Sequence, residues 1–362
     1  MSNNKVSLRW ILEQAFEVLK VRASVEGKLI SVGGVIFCGA GVAAIVRLAI
    51  PTQYGSLVFD YLPEGGSSLW GMLFGAALIL SGLAVGVYKI QNEQRLNERH
   101  RILAIELRGL QDTSDTPLAS FLPSHIKGRK DTLLIDIRKF MHNGTVTNPQ
   151  AALDRVNLIT HDFNEWRRDI DRGDVSAYLG GLMPVPFSFL AGMLLDDEHM
   201  VNGMLDWDRD KSSWRELDEE DDGNRFLIKG LGSIPQRSNE VIVAISASYS
   251  IDIEGVKNFK HNTPIVELEL ANRSTSCHWS ESKQQALSAQ LREVLVTLSD
   301  KHIELIHLFI AGANSLVIRL GRTYDRRNMP RCNIYQYERS ATPPYPWGVV
   351  LPTHGVNTAT II

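Results

Sequence analysis

The clusters with the side-chain types of a reactive site are few, and each falls short of one. Residues 196–199 read Asp-Asp-Glu-His. These are metal-ligand types, but four consecutive side chains aim at one ion only if the chain wraps around it, so a solvated turn is expected. His161 and Glu165 lie one helical turn apart with no third partner, which reads as an exposed pair. Cys277-His278 has no partner at a recognisable spacing, and no G-x-S-x-G, Walker loop or H-E-x-x-H occurs. Cys38, Cys277 and Cys332 form no CxxC or Cys/His zinc spacing. Three cysteines are too few for a disulfide scaffold and fit a reducing compartment. The expectation is a protein without catalytic residues, metal or cofactor.

Non-covalent recognition suits the residues better. Ser246, Ser248, Gly312, Asn314 and Ser315 are small or polar and sit at the ends of apolar runs. A phosphate or a base could approach the backbone closely there, although the same residue types also serve as turn formers. Pro184 and Phe187, Trp207 and Tyr335 occupy comparable run ends. Residues 319–339 hold six arginines (319, 322, 326, 327, 331 and 339) against Asp325 and Glu338. Such a segment could contact phosphates, a neighbouring copy or plain solvent. The acidic run 216–222 (ELDEEDD) is one partner that such a copy could offer.

Alternating strands and helices would position these residues. Residues 132–138, 175–185 and 201–207 read as strands, with helices at 149–171 and 186–195 between them. Residues 241–249, 302–311 and 331–337 repeat the strand pattern, with helices at 281–298 and 313–320. The shared order, with Leu190 and Gly192 in one short helix and Leu320 and Gly321 in the other, indicates a diverged duplication of α/β units on parallel sheets. In such sheets ligands bind beyond the carboxyl ends of the strands, beside helix N-termini.

Charge patterning separates this body from a second module. The 362 residues carry 38 Lys and Arg and 41 Asp and Glu, a net charge of -3, which excludes a globally basic nucleic-acid binder. Residues 29–88 contain just three charged side chains, Arg47, Asp60 and Glu64. Within them, residues 29–50 and 69–88 each match a bilayer's thickness as helices. Lys20, Arg22 and Lys28 precede the first stretch, and Lys89, Arg95, Arg99 and Arg101 follow the second. The positive-inside rule then places the N-terminus and the body on the cytoplasmic side. Gly71, Gly75, Gly82 and Gly86 share a face of the second stretch and suit close helix packing, within the hairpin or between copies. Residues 6–20 have the apolar spacing of an interfacial helix. The expected organisation is an N-terminal segment (1–28), a transmembrane hairpin (29–90), a linker helix and loop (91–125) and the body (126–362), with halves at about 126–230 and 231–362.

The run VIVAISASYSIDI (241–253) resembles a strand of SAVED domains. So does HLFIAGANSLVIRLGR leading to CNIYQYE (307–338), and so do MPVPFSFLAGMLL and VNGMLDWDR, followed by Trp214. The resemblance implies an N-terminal two-helix transmembrane hairpin followed by an α/β SAVED-like body of two fused CARF/Rossmann-like halves. It implies a bacterial anti-phage (CBASS) effector of the inner membrane. The partners it implies are a cyclic di- or trinucleotide signal, the lipid bilayer and further copies of the chain on binding, with no DNA or RNA polymer. The ligand contacts expected are Pro184, Phe187, Trp207, Ser246, Ser248, Gly312, Asn314, Ser315 and Tyr335. One departure stands out. A proline usual at the start of the second short helix is here Ala313.

Overall fold

The structure is a computed structural model, and it describes residues 24–37, 46–52, 55–61, 69–196, 201–353 and 358–362. It divides into two units, residues 1–98 and 99–362.

In the first unit, helix α1 (Val25–Phe37) is followed by strands β1 (Val46–Thr52) and β2 (Gly55–Tyr61) and by helix α2 (Leu69–Arg99). β1 and β2 pair antiparallel from Val46↔Tyr61 to Thr52↔Gly55. The expected 22-residue span over 29–50 is therefore not one helix. Its apolar count met the length test, but Val46 and Ile50 favour strand, Pro51 has no N–H for a helix, and a partner strand, Gly55–Tyr61, lies between the two apolar stretches. The second stretch is helical throughout. At 31 residues α2 is about 46 Å long, and from Leu73 to Arg99 it is long and apolar enough to cross a membrane. Leu73, Leu80, Leu83, Val87 and Ile90 are exposed on it. α1 meets it at Gly33, where a Cβ would lie 2.7 Å from the Gly75 carbonyl oxygen. Gly75 thus packs within the chain. Gly82 is also buried, Gly86 is half-buried, and Gly71 lies in the first turn of the same helix. The interfacial helix expected at 6–20 falls outside the described residues.

Among its described residues the second unit holds two large sheets and a two-stranded hairpin. Strands β3 (Arg101–Arg108) and β4 (Arg129–Asp136) are followed by a small hairpin, β5 (Met141–His142) and β6 (Thr145–Val146), and by helices α3 (Pro149–Asn157) and α4 (Ile159–Arg167). Then come β7 (Val175–Leu182), α5 (Val185–Asp196), β8 (Val201–Asp208) and β9 (Ser213–Glu216). The first sheet has the order β4-β3-β7-β8-β9, parallel except for β9. The rest of the chain forms β10 (Phe226–Lys229), β11 (Glu240–Ser246), α6 (Ile253–Phe259), β12 (Ile265–Leu270), α7 (Glu281–Asp300), β13 (Leu305–Ala311), α8 (Asn314–Thr323), β14 (Arg331–Gln336), β15 (Trp347–Val350) and β16 (Thr360–Ile361). The second sheet has the order β10-β12-β11-β13-β14-β15-β16, with β12, β11, β13 and β14 parallel.

The two sheets share one topology, β4-β3-β7-β8-β9 matching β12-β11-β13-β14-β15. The duplication is present, but β11 corresponds to β3 and not to the strand at 129–136. Residues 101–108, expected as the end of a charged helix, form a central strand whose last seven residues are all buried. Two of its charges neutralise each other inside. Glu106 is fully buried and accepts from Arg108 Nε and Nη2 at 2.9 and 2.7 Å. The presumed linker thus belongs to the body, and β10, expected in the first half, pairs with β12 of the second.

Candidate functional site

The site is built where α5 and α8 cross. A Cβ on Gly192 would lie 2.1 Å from the Ile318 carbonyl oxygen, and one on Gly321 would lie 2.1 Å from that of Phe189. Each glycine follows by three residues the position that its counterpart touches, so the crossing has an approximate twofold relation. Glycine at both places lets the two backbones touch.

Each half also satisfies helix-end amides of the other. Met183 N donates to Asn314 Oδ1 at 3.2 Å and Val185 N to Gln336 Oε1 at 3.1 Å. In return Ser315 N donates to Asp206 Oδ2 at 3.0 Å. α8 has no side-chain cap of its own because its cap residue is Ala313, and the Asp206 carboxylate supplies one. The departure at 313 has a further use. Its N–H, which a proline would lack, donates to Ser248 Oγ at 3.2 Å.

Three segments rise around this floor. The turn after β8 is held by Asp208 Oδ1, which accepts from Asp210 N and Lys211 N at 3.0 and 3.1 Å. The turn after β11 is pinned by the Ala311 carbonyl, which accepts from the amides of Ala247, Ser248 and Tyr249. The third segment, 275–279, precedes α7. Together they enclose a cleft of about 390 Å³ at the carboxyl ends of strands from both halves. This is where ligands bind in open α/β sheets.

The lining is polar, aromatic and mixed in charge. Arg209 Nη1 donates to the Tyr249 hydroxyl across the halves at 3.4 Å. Lys211 faces Asp208 at 3.8 Å. Arg215 lies over the Trp279 ring, 4.6 Å from its centroid, and pairs with Asp218 and Glu219 at 3.0 and 2.9 Å. Trp207 packs edge-on against Trp214. On the floor His278 Nε2 is 3.4 Å from Asp206 Oδ2, with both side chains 5% exposed. Burial pulls the imidazole below its ordinary pKa, and the Asp206 carboxylate opposes part of that shift.

Of the residues expected as ligand contacts, Trp207, Ser248, Gly312 and Asn314 line this cleft. The other five do not. Ser246 and Ser315 are buried behind it, their hydroxyls accepting from Ile251 N and Gln284 Nε2. Pro184 is buried at the start of α5. Phe187 is fully buried against Trp347. Tyr335 is stacked on Phe309 and bonded to His307 Nδ1 at 2.9 Å, within the second half's own core. A strand-end position does not say which way an aromatic ring points.

Asp206, Asp208, Arg209, Tyr249 and the 275–279 segment were missed. Their signal was the LDWDR run, and His278 gains its partner from the other half of the chain. The charged segments are largely committed inside the molecule. Asp221 pairs with Arg225, Asp222 with Lys283, Arg319 with Glu281, and Arg322 with Asp196. A wider recess of about 580 Å³ lies at the opposite ends of α5 and α8, lined by Asp196, Arg292 and Arg322 among others. Among the described residues no group of His, Cys, Asp and Glu could hold a metal ion, and residues 197–199 lie outside them. His161 faces Asp162 at 3.4 Å and is exposed.

Residues 159–351, more than half of the chain, match the SAVED family, described as the SMODS-associated and fused to various effectors sensor domain. Residues 5–153 match the SAVED-fused 2TM effector domain. The boundary between the matches falls inside the first half, after β3 and β4, whereas the structural boundary lies at Glu98. Among solved structures, the chain is similar to the Acinetobacter baumannii Cap4 SAVED/CARF-domain containing receptor with the cyclic trinucleotide 2′3′3′-cAAA. Identity is 14%, with 75% of this chain and 54% of that chain covered and a TM-score of 0.47. The Moraxella osloensis Cap4 receptor is similar at 12% identity, with 74% and 52% covered and a TM-score of 0.45. The chain spans about half the length of these receptors. A search of curated proteins found no match. With its sensor half matched over most of both sheets, the chain belongs to the SAVED family and carries a 2TM effector domain ahead of the sensor.

Proposed function

We propose that this chain is a non-catalytic sensor of a cyclic oligonucleotide that acts on the bacterial inner membrane through its 2TM domain. The observation that carries the reading is the cleft at the crossing of α5 and α8. It offers cations for phosphates (Arg209, Lys211, Arg215) from the first half and an exposed aromatic ring for a base (Tyr249) from the second. The match to the SAVED sensor domain supports a sensing role for the body that holds this cleft. In this reading the 2TM domain crosses the membrane twice, with the N-terminus and the sensor in the cytoplasm, as the flanking Lys and Arg favour. Ligand binding drives assembly of several copies, and the assembled 2TM domains disrupt the membrane. For that the ligand must bind the assembled form more tightly than the free one.

The test uses the full chain in detergent micelles with a panel of cyclic di- and trinucleotides. Binding of intact ligand with an increase in particle size is expected. Hydrolysis of the ligand, or no binding by any member of the panel, overturns the reading.

A further inference from the structure

The cleft has a charge imbalance that an anion would have to overcome. Its lining includes four carboxylates (Asp206, Asp208, Asp210 and Glu219) and three permanent cations (Arg209, Lys211 and Arg215). With His278 neutral, the excess is one negative charge. Two of the cations already face partners, Lys211 beside Asp208 and Arg215 between Asp218 and Glu219. A cyclic oligonucleotide adds one further negative charge per phosphodiester. The remaining group in the lining able to change its charge near neutral pH is His278.

Its surroundings are well defined. His278 is 6% exposed and faces the Asp206 carboxylate at the end of β8. From the other sides it meets the field of Glu219 and Arg215, the Thr275 carbonyl of its own segment, and the Trp279 ring with centroids 4.4 Å apart. Arg215 opposes a charge on the imidazole, but it is engaged with two carboxylates and the Trp279 face. Burial disfavours the charged form of the ring and holds its pKa below the ordinary value. A phosphate nearby changes that balance, because a second anion beside Asp206 favours the charged imidazole.

We infer that His278 takes up a proton when an anionic ligand enters the cleft, so that ligand affinity and protonation are linked. The inference rests on the cleft being the ligand site. The sign follows from the direction of the shift. The free protein holds His278 below its ordinary pKa, and the bound anion raises it. Between the two values binding consumes a proton, and affinity climbs as pH falls, by up to about tenfold per pH unit for one proton. Below the free value both states are protonated and affinity levels off. Above the bound value no proton is taken up.

Isothermal titration of the full chain in micelles with 3′3′3′-cAAA, in two buffers of different ionisation heat at about pH 6.5, tests this. Neither the phosphodiesters nor the adenines of that probe titrate near neutral pH. Inorganic sulfate, which does not titrate near neutral pH, serves as the second probe at the same pH, read by the His278 imidazole resonance. The expected result is heat that differs between buffers by a proton uptake of up to one per ligand, and an imidazole signal that moves toward the charged form on binding. His278→Gln should bind with equal heats in both buffers and with a flat pH profile. Binding with equal heats in the wild type, or uptake that persists in H278Q, overturns the proton linkage and leaves the ligand site standing. No binding by either probe overturns the reading of the cleft and the linkage with it.

Discussion

Replacing Gly192 with Ala puts one methyl group into the point where α5 and α8 touch. The added Cβ would lie 2.1 Å from the Ile318 carbonyl oxygen and 2.9 Å from its carbon, where ordinary contact begins near 3.4 Å. Restoring that distance requires the two backbones to part by more than 1 Å. Neither neighbour is a side-chain tip that can swing away. Two effects oppose each other. Alanine favours a helix over glycine by about 1 kcal/mol, whereas overpacking a tight core costs about 1–3 kcal/mol. The crossing also sets the distances of the amide links Met183–Asn314, Val185–Gln336 and Ser315–Asp206, and stretching each loses about 1 kcal/mol. The net expectation is a loss of about 3–5 kcal/mol, or roughly 6–20 °C in Tm for a body of this size. Gly321→Ala should behave alike. The double variant should lose less than the sum, because both methyl groups open the same contact. Gly232→Ala is the control, since a Cβ there meets nothing within 4 Å. Thermal unfolding followed by tryptophan fluorescence reads all four. A G192A protein as stable as the control would refute the argument that backbone contact at this crossing holds the halves together.

Three further outcomes follow from the same geometry. Asp206→Ala should cost about 1–3 kcal/mol in urea unfolding, because it strands the buried Ser315 amide and His278. Asp206→Asn keeps an acceptor and should cost less than half as much, and equal losses would sink the capping role. Lys283 is 2% exposed with its Nζ 2.8 Å from Asp222. Partial burial opposes ionisation of Asp222, but hydrogen bonds from Lys283 and Asn224 prevail and hold its pKa at about 2. That depressed value contributes stability above the usual pKa near 3.8 and loses it as pH falls toward 2. Asp222→Asn should therefore remove the stability step in that window, and an unchanged acid-unfolding curve would contradict the pairing. In the first unit, Gly75→Leu fills the place where Gly33 meets α2, and Gly82→Leu changes a second buried glycine of that helix. Ligand-triggered dye release from liposomes should be lost in both. Unchanged release would show that these positions do not shape the active form.

The parallel strands and short helices were legible because their residues are apolar on both sides and bounded by turns. β7, β13, α5 and α8 fall close to where the runs place them. β3 was hidden because a charged run normally signals solvent, and Glu106 with Arg108 breaks that rule by pairing inside. Missing it displaced the internal repeat by one strand. α1 and β1 show a second limit. Hydropathy counts apolar residues, but it does not distinguish a helix from a strand whose partner lies further along the chain. The cleft was half legible. Backbone-proximal residues such as Ser248, Gly312 and Asn314 declared themselves by type and position. Asp206 and His278 did not, because a contact between residues of different halves leaves no spacing to read. Phe187 and Tyr335 failed for the converse reason. Their position at strand ends is real, but packing turned both rings inward.

The fusion of two related halves into one chain has a genetic consequence. In a cleft formed by two identical subunits, each substitution appears twice, and a bound molecule meets the change from both sides. Here Gly192 and Gly321 keep the shared crossing, while Pro184 and Ala313 already differ at matching places on either side of it. One point mutation therefore alters one wall of the cleft and leaves the other as it was. Selectivity can drift in steps of a single side chain, and a molecule whose own two ends differ can be matched end by end.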